Sequence, residues 1–385
     1  MAALDFNDRP YVVVWEVTQA CDLVCAHCRA CAKPMRHPLE LSTAEGQNLI
    51  DQIAALQVPV FVLSGGDPLK RPDVCRLVEY ATMRGVRTSL TPSATPLLTR
   101  DAIAGLKRAG LARLALSLDG ANAHSHDAFR GVVGSFELTL QAIRWAHELG
   151  VPLQINTTIS RQNLAEFEEI ASLVEALRVV LWSVFFLVPT GRGQTEDLVS
   201  AQEFEAIFHK LYVHSRQVRF DIKTTEAQHF RRFVAQAQAS ERRKRSQGAE
   251  ARKRPAPADV HPSGPSPHGR ALFPAGAPDG IGRAPRGIND GKGFVFISHL
   301  GEVYPSGFLP VSGGNIRSQS LGEIYRRSPL FVALRDSSNL KGKCGVCEFR
   351  EICGGSRARS YAITGDLFAE EPCCAYQPKM AAAAA

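Results

Sequence analysis

The sequence predicts an α/β fold, with a parallel sheet of six strands wrapped by helices and a small cysteine-rich domain behind it. Two observations carry that prediction. Six short apolar runs alternate with amphipathic segments through the first 230 residues, and nine of the ten cysteines crowd into two segments, 21–31 and 344–374.

The apolar runs lie at 11–17, 59–63, 86–90, 113–118, 152–159 and 179–187. They are mostly continuous in Val, Leu, Ile and Phe, the pattern of strands covered on both faces. Between them, Ser42-Thr43-Ala44-Glu45 has capping-box spacing, and Leu49, Ile50, Ile53 and Leu56 follow at helical intervals. Gly110 and Gly150 sit where helix C-caps belong, each just before the next strand. The pattern alone leaves an open doubly wound sheet and a barrel as alternatives, and both put functional loops at the carboxyl ends of strands.

From about residue 237 to 286, Pro, Ala, Gly, Ser and Arg dominate, which predicts a disordered linker. The expected division is a core at 1–230, a basic low-complexity insert at 231–286 and a cysteine-rich domain at 287–379. In that last domain, 294–298 and 302–304 flank the turn signal Leu300-Gly301 and read as a β-hairpin, with a helix at 321–326. The tail, 380–385, carries no signal.

At 385 residues, 45% hydrophobic and 22% charged, the chain has the composition of a globular protein. No run approaches the roughly 18 apolar residues of a membrane span, and the N-terminus shows no secretory signal, so a cytoplasmic protein is expected. Much of the net charge of +7 falls on Arg242, Arg243, Lys244, Arg245, Arg252, Lys253 and Arg254. That stretch reads as a solvated insert rather than a nucleic-acid surface. Clustered cysteines in a cytoplasmic chain point to metal or redox chemistry rather than disulfides.

Cys21, Cys25 and Cys28 form C-x3-C-x2-C on a loop leaving the first strand. Three thiolates can hold three irons of a [4Fe–4S] cube and leave the fourth open to a chelating small molecule. The alternatives are a zinc site completed by His27 or Cys31, or structural cysteines. With His27 just before the last cysteine and Ser64-Gly65-Gly66-Asp67-Pro68 at the next strand end, the sequence resembles the radical S-adenosylmethionine (SAM) superfamily.

The resemblance implies a partial (βα)6 barrel in which SAM chelates the open iron and is cleaved to methionine and a 5′-deoxyadenosyl radical. Carried over by position, Ser64, Gly65, Gly66 and Asp67 would receive SAM's amino group, and Ser93, Ser117 and Asp119 its polar groups. Arg130 would meet the carboxylate, Asn156 the ribose, and Val188 with Pro189 the adenine. Taken singly, Gly65-Gly66 and Asp119-Gly120 could be tight turns, Asn156 a strand-end cap and Arg130 a surface residue.

Cys344, Cys347 and Cys353, with Cys373 or Cys374, supply a four-thiolate set that suits either a second [4Fe–4S] cluster or structural zinc. Behind such a core the pattern resembles the SPASM or twitch extension and implies one auxiliary cluster. The segment Tyr304-Pro305-Ser306-Gly307, and Ser356 in Cys-Gly-Gly-Ser, stand where proteins with this extension often carry further cysteines. The acidic-acidic-Pro-x-Cys pattern selects Cys374, with Cys373 the alternative; Cys31 and Cys75 read as packing residues.

Trp15-Glu16-Val17-Thr18, Ser117-Leu118-Asp119-Gly120, Pro189-Thr190-Gly191-Arg192-Gly193 and Cys353-Gly-Gly-Ser-Arg-Ala-Arg359 resemble the heme-biosynthesis branch of the superfamily. That resemblance implies a tetrapyrrole propionate as substrate and an electron donor such as ferredoxin or flavodoxin. His229, His299, Lys223 and Arg317 are candidates to meet propionates or iron. A maturase modifying a ribosomally made peptide is the alternative enzyme. A non-catalytic metal-binding module that grips nucleic acid through 242–254 is a third reading.

Overall fold

Strands form where the continuous apolar runs predict them, because a strand covered on both faces has no polar side to present. The computed structural model describes residues 5–251 and 287–379. Strands β1 (Val12–Glu16), β2 (Val60–Ser64), β3 (Thr88–Leu90), β4 (Arg113–Ser117), β5 (Leu153–Ile159) and β6 (Leu181–Phe186) lie side by side in that order, all parallel. Helices α1 (Thr43–Ala55), α2 (Val74–Met83), α3 (Arg100–Arg108), α4 (Ala123–Arg130), α5 (Ser135–Glu148) and α6 (Phe167–Ala176) occupy the crossovers. Ser42 and Glu45 form the expected capping box on α1, and Gly110 and Gly150 take φ of +92° and +63° just past α3 and α5.

Two features of the sheet go beyond the sequence reading. After α7 (Ala201–Ser215), a seventh parallel strand, β7 (Asp221–Thr225), pairs with β6. Its sequence, DIKTT, has Ile222 as its one apolar residue and lies on a half-exposed edge, so it leaves no continuous apolar run. On the other side come β8 (Asn289–Asp290), β9 (Gly293–Ile297), β10 (Glu302–Tyr304) and β11 (Gly314–Asn315). β9 and β10 make the predicted hairpin, but β9 also pairs parallel with β1, Val12 opposite Phe294. The cysteine-rich region thus continues the core's own sheet, which stays open between β11 and β7. Trp15 and Trp182, both fully buried, anchor its apolar interior.

The stretch expected to be disordered from 231 begins as a helix, α8 (Phe230–Ala251). Its Ala, Gln, Arg, Lys and Glu are strong helix formers, and the first proline of the segment is Pro255. Phe230 and Phe233 pack on Phe208 of α7 at 5.3 and 6.1 Å, and Tyr212 donates to Glu241 at 2.8 Å. The remainder of the expected linker, 252–286, and the tail at 380–385 lie outside the described residues. No helix among the described residues is long and apolar enough to cross a membrane.

The C-terminal region is fastened to the end of the sheet by a buried polar knot. Glu226, just past β7 at φ +56°, accepts from Ser306 at 2.9 Å and from Ser356 at 2.5 Å. Ser356, and the 304–307 segment that holds Ser306, are the two places where the resemblance implies a further cysteine. Burial, and then the nearby Asp290 carboxyl, pushes the Glu226 carboxyl up to about 8, so it keeps its proton in the native state. An unfolded Glu226 ionises near 4.5, so the native state holds the extra proton between about pH 4.5 and 8. Stability from this group is therefore lost as pH rises through that window, by at most about 1.4 kcal/mol per pH unit. Glu226→Gln should unfold at higher urea than wild type at pH 8 and near the same urea at pH 5. Parallel urea midpoints across that range would contradict the assignment.

Candidate functional site

The carboxyl ends of β1 to β6 surround a cavity of about 200 Å³, and the first cysteine loop forms one wall of it. The cavity brings together twelve of the fifteen residues expected there: Cys21, Cys25, His27, Cys28, Ser64, Gly65, Gly66, Ser93, Ser117, Arg130, Asn156 and Val188. Pro189, beside Val188, does not line it, and Asp67 and Asp119 both turn into the protein. Asp67 accepts from Thr95 at 2.8 Å and from the backbone of Leu69 at 3.1 Å, fixing the loops that follow β2 and β3. That places the Ser93 hydroxyl 3.3 Å from the Cys21 sulfur and 3.2 Å from the Gly66 carbonyl. Asp119 pairs with Arg130 at 2.7 Å and accepts from the Thr158 backbone at 2.7 Å, holding the guanidinium in place.

The cysteine loop is held by close backbone approach on two sides. A Cβ on Gly66 would stand 2.4 Å from the Ala20 carbonyl oxygen, and Gly65 has Thr18 similarly close, so the glycine pair is needed for packing. Opposite, the turn after β6 carries Gly191 at φ +63°, where a Cβ would meet the carbonyl oxygens of Cys28 and Arg29 at 2.4 Å. Arg192 clamps the loop further, donating from its backbone to Cys28 at 3.0 Å and from Nε to the Cys25 carbonyl at 2.8 Å. The sequence offered this turn as a resemblance; the structure gives its physical task.

The residues present fit a thiolate-bound cluster. None of the ten cysteines forms a disulfide. Cys21 accepts from the Leu23 backbone at 3.3 Å and the Arg130 guanidinium reaches Cys25 at 3.5 Å, so one neutral and one positive donor already face the sulfurs. Burial pushes the Cys21 thiol up, a shift that a bound cation reverses. Ser117, Asn156 and Thr158 also line the cavity and offer polar atoms, and the rings of Phe185 and Phe308 lie 6.4 Å apart on its wall. The His27 ring stacks on Phe129 at 4.5 Å, and burial holds it neutral.

Sequence reasoning missed a third layer. Arg29 lies 3.0 Å from Glu16 and 4.2 Å over the Phe296 ring, while His299 shares a hydrogen with Glu16 at 2.9 Å. His299, a candidate for the substrate, thus braces β1 against the β9–β10 hairpin. These partners lie 283 residues apart, so spacing carries no trace of them. Arg317 pairs with Glu45 at 2.6 Å, and Lys223 lies exposed on the edge strand β7.

The second cysteine cluster lines a separate small cavity. Cys344, Cys347, Cys353 and Cys374 face it together with His229, Arg232 and Glu371. Cys373 does not, and is packed into the main apolar core. Three of the four facing sulfurs already accept a backbone N–H: Cys344 from Glu371 at 3.3 Å, Cys347 from Phe349 at 3.4 Å and Cys353 from Gly355 at 3.5 Å. Burial pushes the Cys353 thiol up to about 12 and the His229 imidazole down to about 3, so without a metal both are neutral at pH 7.

Residues 15–174 match the family described as the radical SAM superfamily. Over 372 residues the chain is 40% identical to an AdoMet-dependent heme synthase of Methanosarcina barkeri, covering 97% of this chain and 98% of that one. It is 27% identical to a pre-heme d1 synthase of Dinoroseobacter shibae, covering 94% of this chain and 85% of the relative. Its fold is similar to the crystal structure of SuiB from Streptococcus suis bound to S-adenosylmethionine. The TM-score is 0.68 at 15% identity, with 96% of this chain and 78% of that one covered.

Proposed function

The chain belongs to the radical SAM superfamily, and from that premise we propose that it removes carboxyl groups from the propionate side chains of an iron tetrapyrrole. As a member of the family it is an enzyme that uses a [4Fe–4S] cluster and SAM. The observation that carries the substrate is the match along nearly its whole length to a heme synthase.

Cys21, Cys25 and Cys28 would hold the cluster, and Cys344, Cys347, Cys353 and Cys374 an auxiliary one. When bound, the first cluster and SAM supply a hydrogen-atom acceptor strong enough to attack an unactivated C–H bond. The chain's residues bind and orient. Arg130, charged and fixed by Asp119, faces the Cys25 sulfur where a SAM carboxylate would meet the open iron. The backbone of Ser64 to Gly66 offers carbonyls to an ammonium. Asn156 and Ser117 face the cavity where a ribose would lie, and His27 and Val188 offer flat and apolar contact to adenine. Phe185 and Phe308 present apolar rings to the same cavity. Electrons would come from a small low-potential carrier of the ferredoxin or flavodoxin kind.

The test is anaerobic incubation of the reconstituted enzyme with SAM, dithionite and an iron porphyrin bearing propionates, followed by mass spectrometry of the tetrapyrrole. The expected product has lost one or more carboxyl groups. An unchanged tetrapyrrole, with 5′-deoxyadenosine formed only when a precursor peptide is supplied, would overturn this reading in favour of peptide modification.

A further inference from the structure

We propose that His229 donates a hydrogen bond to the auxiliary iron–sulfur cluster and raises its reduction potential, an inference that rests on reading Cys344, Cys347, Cys353 and Cys374 as that cluster's ligands. His229 lies at the turn between β7 and α8, fully buried, and lines the cavity that the four cysteines face. Neither ring nitrogen has a hydrogen-bond partner among the described residues. The nearby Cys373 backbone is felt by the ring but lies outside hydrogen-bond geometry. Phe204 and Phe208 cover the imidazole at 4.9 and 4.8 Å and offer it no acceptor of ordinary strength.

A buried polar group left without a partner costs about 1–3 kcal/mol, so an orphaned imidazole in a folded core points to a partner that occupies the cavity. The cavity's other polar side chains are already held. Arg232 pairs with Glu205, Lys343 donates to the Cys374 carbonyl at 2.6 Å, Glu371 pairs with Arg359 at 3.2 Å, and Tyr376 donates to Glu348 at 2.5 Å. His229 is the lining side chain with its whole hydrogen-bonding capacity uncommitted. Four thiolates complete a [4Fe–4S] cube without it, so its N–H is directed at sulfur rather than its lone pair at iron. One-electron reduction, from 2+ to 1+, puts negative charge on those sulfurs, and an N–H dipole stabilises the reduced form.

The experiment uses full-length enzyme, reconstituted with iron and sulfide. Its Cys21, Cys25 and Cys28 are changed to alanine so that the auxiliary cluster alone is observed. Dithionite titrations followed by electron paramagnetic resonance compare His229, His229→Gln and His229→Leu. His229→Leu should hold the same iron but reduce with a roughly tenfold smaller equilibrium constant, a potential lower by ~59 mV. His229→Gln keeps an N–H donor and should restore most of that shift. In the unsubstituted histidine protein labelled with ¹⁵N-histidine, a weak ¹⁵N coupling to the reduced cluster is expected. An unchanged potential in His229→Leu with iron retained would overturn the proposal. So would a strong ¹⁵N coupling, which would make His229 an iron ligand. Absence of any cluster in this background would instead show that the four-cysteine reading itself has failed.

Discussion

Replacing Cys21, Cys25 and Cys28 together by alanine is expected to abolish 5′-deoxyadenosine formation and to lower iron from about eight to about four atoms per chain. The two halves of that outcome come from different parts of the molecule. Loss of cleavage follows because the three thiols form the sulfur-bearing wall of the main cavity, and Arg130 and Ser93, which remain, have no sulfur to face. Retention of half the iron follows because the second cysteine set sits in its own cavity with its own backbone donors. The loop itself should keep its path, since Gly65, Gly66, Gly191 and Arg192 hold its backbone rather than its sulfurs. Circular dichroism should therefore be unchanged. A variant that keeps all its iron, or that still makes deoxyadenosine, would contradict the assignment.

Arg359→Met is expected to destabilise the protein by ~3–5 kcal/mol, because it leaves a buried carboxylate without its counter-charge and removes the donor to several carbonyls. Arg359 is fully buried on the helix Arg357–Thr364. It pairs with Glu371 at 3.2 Å and donates to the carbonyls of Leu187 at 3.2 Å and Glu226 at 2.6 Å. One guanidinium thus ties the ends of β6 and β7 to the segment that carries Cys373 and Cys374. Glu371 in turn accepts from the Ser356 backbone at 2.7 Å, so its displacement loosens the loop after Cys353. Denaturant unfolding under anaerobic conditions measures the loss, and iron from the auxiliary set should fall with it. Adding Glu371→Gln to Arg359→Met removes the unpaired charge and should recover part of the stability. A loss below about 1 kcal/mol would contradict the account.

What the sequence made legible was whatever shows in local pattern. The six strands β1–β6 announce themselves because burial on both faces forces uninterrupted apolar runs, and the first cysteine set because its spacing is local. Contacts between distant segments leave no such trace. DIKTT forms β7 at an edge where one face stays open, so its periodicity is too weak to read. The β9–β10 hairpin was readable from its turn, yet its parallel pairing to β1 is a tertiary choice. Residues 231–251 show composition misleading in the other direction, since the same Ala, Arg, Lys and Glu that suggest a solvated linker also favour helix once Phe230 and Phe233 find α7. Asp67 and Asp119 were identified by position in their motifs, which could not tell a carboxylate that touches a ligand from one that positions Ser93 or Arg130.

The most direct test of the central claim follows hydrogen from substrate to cofactor. An iron porphyrin deuterated on its propionate methylenes is incubated with the reconstituted enzyme, SAM and dithionite, and the 5′-deoxyadenosine is analysed by mass spectrometry. The account predicts that deoxyadenosine acquires deuterium in step with loss of carboxyl groups from the porphyrin. Deoxyadenosine that forms without deuterium, while the porphyrin stays intact, would contradict it.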